Sequence, residues 1–99
     1  MRRGELRWYT FAAPDKRRPV LLLTRVVPAT RTIRGLETEV LLSPEDGMPT
    51  ACALNFDHVS LAQRSRIGAS ITTLPPARWP EVERALLIAC GFSASARER

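Results

Sequence analysis

Apolar residues in this chain fall in short runs bounded by proline, glycine and charge, the rhythm of a small β-rich domain with one helix. Residues 5–11 alternate as a strand, with Leu6, Trp8 and Thr10 on one face and Arg7, Tyr9 and Phe11 on the other. Both faces carry aromatics, which leaves one side to meet a partner. Pro14 and Asp15 make residues 12–18 a loop, and Pro19 opens a second strand at 20–25 whose continuous apolar run suits a buried position. Strands are predicted at 38–42 and 51–55, joined through Pro44, Gly47 and Pro49. The strand period then fails at Phe56, Asp57 and His58.

A strand around 67–72 precedes the clearest helix, 76–90, which Gly91 closes. Pro76 and Pro80 are tolerated because the amides of a first helical turn have no intrahelical acceptor to lose. Trp79, Val82, Leu86 and Ala89 recur at helical spacing and read as core packing, leaving Arg78, Glu81 and Arg84 on other faces. The fold class is therefore α+β, mainly β: short strands in a compact, strongly bent barrel, with a C-terminal helix.

Ninety-nine residues make one domain, assigned to 1–92, with a tail at 93–99 expected to fray. A chain of this size buries only about 60–70% of its unfolded surface, so a dimer interface would add useful burial. The longest apolar run, residues 85–90, is far short of the roughly 20 residues needed to span a bilayer. The N-terminal segment has no apolar stretch of the signal-peptide kind, and the expectation is a cytoplasmic protein away from membranes. Cys52 and Cys90 read as small buried residues of a reduced compartment. Two cysteines and one histidine without ligand spacing predict no metal site and no cofactor.

The formal charge of +5 favours a polyanionic or acidic partner. Of the fifteen basic residues only Lys16 is lysine, and arginine forks bind phosphate oxygens bidentately and stack on bases. An arginine-rich solvated surface is the plainer reading of the same numbers.

The blocks Arg3-Gly4-Glu5-Leu6-Arg7-Trp8, Arg18-Pro19-Val20-Leu21-Leu22 and Thr30-Arg31-Thr32-Ile33-Arg34-Gly35-Leu36-Glu37-Thr38-Glu39-Val40 occur in a fixed order. With Asn55-Phe56-Asp57-His58-Val59 and the closing segment from Leu74 to Leu86, they resemble the MazF/PemK family of toxin endoribonucleases over nearly the whole chain. The resemblance implies the SH3-like barrel shared by MazF and CcdB toxins. It also implies a metal-independent, sequence-selective endoribonuclease that cuts single-stranded RNA to 2′,3′-cyclic phosphate and 5′-hydroxyl ends. Such a protein is the toxin of a type II toxin–antitoxin pair, a homodimer bound by an acidic antitoxin.

The family's catalytic arginine and threonine match Arg18 and Thr30. A guanidinium that stays charged suits a phosphorane clamp better than a resting base, and Thr30 would hydrogen-bond the phosphate. Arg17, Arg31 and Arg34 would add phosphate contacts, with Gly35 allowing close backbone approach beside Arg34. His58 would accept a proton or read a base edge. The bland alternatives are an exposed charge at a strand end for Arg18, a local turn for Thr30, and solvated positions for Arg31, Arg34 and His58. Glu37 and Glu39 read as surface charges. The family's loop glutamate has no counterpart beyond Asp15.

Members of the resembling family usually place roughly ten or more residues where Arg25 here runs directly into Val26, which reads either as a natural deletion or, the preferred reading, as a loop missing from the sequence. Val26 and Val27 therefore read as the tail of a strand whose beginning is missing. The alternative function is a non-catalytic SH3-like binding module or a CcdB-like gyrase-targeting toxin.

Overall fold

The computed structural model describes residues 2–12 and 17–92. The tail at 93–99 and the loop position Asp15 lie outside the described residues. Among the described residues there are six strands: β1 (Glu5–Thr10), β2 (Arg17–Leu22), β3 (Val26–Thr30), β4 (Glu39–Leu42), β5 (Cys52–Asn55) and β6 (Ile67–Thr73). They form one antiparallel sheet in the order β4-β5-β3-β2-β1-β6, followed by a single helix, α1 (Trp79–Ala89). The mainly β class with a C-terminal helix is as expected. The helix begins with a 3₁₀ turn at Pro76–Arg78, and Gly91 follows its end with φ of +97°.

The sheet buries both of its faces, and strand alternation decides which residue goes where. Leu6, Leu21, Val27, Val40 and Leu54 point into the main core, which α1 closes with Val82 and Ala85. Each fully buried aliphatic side chain there is worth about 1.5–3 kcal/mol of transfer free energy. Tyr9, Val20, Leu22 and Val26 form a second cluster with Phe11 and Ile67. The chain's own segment after β5 reaches it: Ser60 bridges to Val26, and the Gln63 N–H donates to the Tyr9 hydroxyl at 3.0 Å. The Tyr9 face of β1 is thus covered from within, and Trp8 on the other face is the aromatic left half-exposed.

The ends of the sheet curl toward each other. Gly47, between β4 and β5, adopts φ of +96° and lies so close to Thr72 of β6 that a Cβ would sit 2.6 Å from the threonine Oγ1. Across the same seam the Arg78 guanidinium donates to the Leu41 carbonyl of β4.

Three expectations are corrected. The second strand ends at Leu22 rather than at residue 25, and residues 23–25 make a tight turn in which the Leu23 N–H donates to the Arg25 carbonyl at 2.8 Å. Val26 and Val27 are therefore the start of β3, both fully buried, and not the tail of a strand that lost its beginning. The short spacing relative to the family concealed this strand. Cys52 is buried as expected, but Cys90 is exposed, since it lies past the last helical residue and off the buried stripe.

Candidate active site

The site is built where β2 and β3 part. They pair at only three positions, Val20 with Pro28, Leu21 with Val27 and Leu22 with Val26. Beyond that point Pro19 and Pro28 offer no N–H for a shared ladder. Each strand keeps its outer neighbour instead, β2 pairing with β1 as far as Arg17 and β3 with β5 as far as Thr30. A notch opens between them, and continuing the β2–β3 register sets Arg18 opposite Thr30.

The notch is the mouth of an open cleft of about 520 Å³. One wall is Trp8, Arg17, Arg18 and Pro19; the other is Ala29, Thr30, Arg31 and Thr32; Met48, Pro49, Thr50 and Cys52 complete the lining. By alternation Arg18 and Thr30 share the face of Val20 and Pro28, while Arg17 shares the face of Trp8, so the notch collects residues from both sides of the sheet. The Arg17 guanidinium lies over the Trp8 ring, 4.6 Å from its centroid. Thr30 Oγ1 accepts the Thr32 N–H at 3.1 Å, which leaves its own proton to donate. Among the described residues, no carboxylate lies within ion-pair distance of Arg17, Arg18 or Arg31. Among the described residues, the cleft gathers positive charge without a paired carboxylate, with a hydroxyl donor at its lip.

No protein-family model matches the chain. A probable endoribonuclease MazF2 of Mycobacterium tuberculosis is 41% identical over 103 residues, covering 92% of this chain and 99% of the relative. The chain belongs to the MazF family of endoribonucleases. Among solved structures, the M. tuberculosis toxin MazF-mt6 is 26% identical, with a TM-score of 0.79, covering 90% of this chain and 98% of that one. A MazE–MazF structure from Deinococcus radiodurans is 27% identical, with a TM-score of 0.75 and 94% and 97% coverage. The fold expected from the MazF resemblance is therefore the fold observed.

Of the residues singled out from the MazF motifs, Arg17, Arg18, Thr30 and Arg31 meet at the cleft. Arg34 and His58 do not line it. Arg34 is exposed on the loop after β3, and its N–H donates to Glu39 Oε1 at 3.1 Å. His58 is exposed on a 3₁₀ turn, Phe56–His58, after β5. Glu37 is a surface charge, 3.7 Å from Arg84. Glu39 is not: half-buried, it also accepts the Leu36 N–H at 3.3 Å, and its Oε2 is buried with no partner among the described residues. It ties down the loop that continues from Thr30, Arg31 and Thr32. Burial pushes the Cys52 thiol up, aided by the charge of Asp46, so this cleft cysteine is no ready thiolate.

Two supports were invisible in the sequence. Trp8 forms part of a wall only because β1 and β2 end together. Arg78, expected only off the core-packing face of the helix, holds Asp46 at 2.8 Å and also bonds Glu81 and the Leu41 carbonyl. Asp46 Oδ2 accepts the Ser43 N–H at 3.0 Å, locking the turn that delivers Met48, Pro49 and Thr50 to the cleft. Burial works to raise the Asp46 pKa, but the Arg78 and Ser43 hydrogen bonds outweigh it and hold the carboxyl below the usual aspartate range. Among the described residues, no three His, Cys, Asp or Glu side chains gather as a metal-binding group. No helix among them is long and apolar enough to cross a membrane.

Proposed function

We propose that this chain is the toxin of a type II toxin–antitoxin pair, cutting single-stranded RNA at selected sequences without metal. The observation that supports it is the placement of Arg18 and Thr30 on adjacent strands at one cationic cleft, in a chain of the MazF family.

Cleavage requires the ribose 2′-hydroxyl to lose its proton and attack the adjacent phosphorus while the 5′-oxygen leaves with a proton. Arg18, permanently charged, clamps the phosphorane oxygens as negative charge accumulates and lies within the same cleft as the departing oxygen. The Thr30 hydroxyl, its lone pair engaged by Thr32, donates to a phosphate oxygen. Arg17 and Arg31 neutralise flanking phosphates. His58 is not at the cleft, so the base that takes the 2′ proton is not drawn from it. The products are a 2′,3′-cyclic phosphate and a 5′-hydroxyl.

The same cleft arginines suit an acidic antitoxin, which inhibits by occupying the cleft. We place the toxin in the cytoplasm as a homodimer, which supplies the burial that a 99-residue chain lacks alone. The test is a 5′-labelled RNA incubated in excess EDTA beside the same strand carrying a single 2′-O-methyl group 5′ to the cut. The unmodified strand is cut to cyclic phosphate ends, and the blocked strand binds but survives. Cutting of the blocked strand, or strict need for added divalent metal, overturns the mechanism. Binding of RNA without any cutting points to the non-catalytic module.

A further inference from the structure

We propose that Trp8 is the stacking platform for one nucleobase of the bound strand, and that Arg17 is the placeholder occupying that platform when the cleft is empty. The inference deepens the nuclease reading and rests on it.

Three observations carry it. Trp8 is the aromatic residue of the cleft wall, and it is half-exposed there, whereas its neighbour Tyr9 is buried on the opposite face. What lies on its ring is a flat, exposed guanidinium 4.6 Å from the centroid, the kind of planar cation that a nucleobase replaces without rearranging the ring. Among the described residues Arg17 has no carboxylate within ion-pair distance, and its guanidinium contacts the ring.

The exchange runs in the direction of binding. Base stacking on an aromatic side chain outweighs an exposed cation–π contact, so the base displaces the guanidinium. The freed Arg17 then has a phosphate within the same cleft to neutralise, gaining a charge-assisted contact in place of the weak one. Arg18, the next residue along β2 and on the other face, lines the same cleft, so in this proposal the stacked base lies near the scissile phosphate. Stacking accepts any base, with larger overlap for purines. Trp8 therefore fixes where the strand sits, and hydrogen-bonding groups elsewhere choose among sequences.

The experiment uses the full chain and 2′-O-methyl-blocked strands of one cleaved sequence, each with a single abasic position, scanned along the strand by fluorescence anisotropy. In the wild type one position beside the scissile phosphate loses roughly 5- to 150-fold in affinity when its base is removed. In Trp8→Ala that penalty falls to near unity while the others persist, and Trp8→Phe keeps most of it. Should Trp8→Ala fail to fold, Trp8→Leu retains the bulk without the π face and gives the same readout. Abasic penalties identical in wild type and variants overturn the proposal and leave the nuclease reading standing. The same follows if the variants lose only binding to an acidic peptide. Absence of RNA binding and cutting by the wild type removes both.

Discussion

Replacing Arg18 by alanine separates catalysis from stability at this cleft. The side chain is half-buried, and no carboxylate lies within ion-pair distance of it among the described residues, so its removal strands no buried charge. Its backbone stays in register with Tyr9 of β1. The cost to folding is expected within about 0.5 kcal/mol, the range of an ordinary surface change. The cost to turnover is far larger, because a preorganised donor aimed at developing oxyanion charge is worth about 10²–10³ in rate, or roughly 3–4 kcal/mol. Arg17 and Arg31 remain to hold phosphates, so binding of a blocked strand weakens by much less than turnover. Arg18→Lys keeps the charge but loses the planar fork, and falls between the two. Single-turnover cleavage at saturating enzyme, anisotropy with the blocked strand, and thermal unfolding measure the three terms separately. A folded Arg18→Ala protein that cuts within threefold of wild type would refute the clamp. Equal losses in binding and rate would make Arg18 a binding residue instead.

Thr30→Val keeps the shape and removes both the donor and the acceptor for Thr32; single-turnover cleavage should fall roughly tenfold, as expected for one neutral hydrogen bond, and an unchanged rate would return Thr30 to a turn residue. Asp46→Asn weakens the Arg78 tie, with an expected loss of about 1–2 kcal/mol after discount for partial exposure, and a lower melting temperature by about 4–16 °C. Because the folded-state pKa of Asp46 lies below its unfolded value, the stability it contributes is complete above about pH 4 and is lost as pH falls through the depressed value. Melting curves between pH 6 and 3 should therefore fall more steeply for wild type than for Asp46→Asn, and parallel curves would sink the assignment.

Most elements were legible from pattern alone, each for a reason that can be named. β1, β4, β5, β6 and α1 sit within a few residues of their predicted limits, because alternation, helical spacing and the closing Gly91 are local signals. β3 was misread because the short spacing relative to the family made Val26 and Val27 look like a strand's tail; only the turn at 23–25 and pairing with β2 and β5 make Val26 to Thr30 a strand of its own. Arg18 and Thr30 were found through the motif resemblance. The parting of two proline-bearing strands that places them at one notch depends on partners dozens of residues away. Arg78 was legible only as lying off the core stripe, since nothing near it reveals Asp46, thirty-two positions back. Trp8 showed its alternation but not its exposure, which is set by where the chain after β5 lies.

Arg18 and Thr30 stand on β2 and β3, the two innermost strands of a sheet with a core on each side. Local openings start at edges and termini, where few contacts must be broken, and reach the middle of a doubly covered sheet only near global unfolding. Amides around Val20, Leu21, Val26 and Val27 should then be among the last to exchange with deuterium. The strands that carry the cleft residues are thus anchored in the most durable part of the frame, and a partly melted, disarmed form is not expected short of global unfolding. On the proposed toxin reading, restraint then has to come from a second molecule seated in the cleft for as long as it is made, and when that molecule is lost the enzyme is already whole.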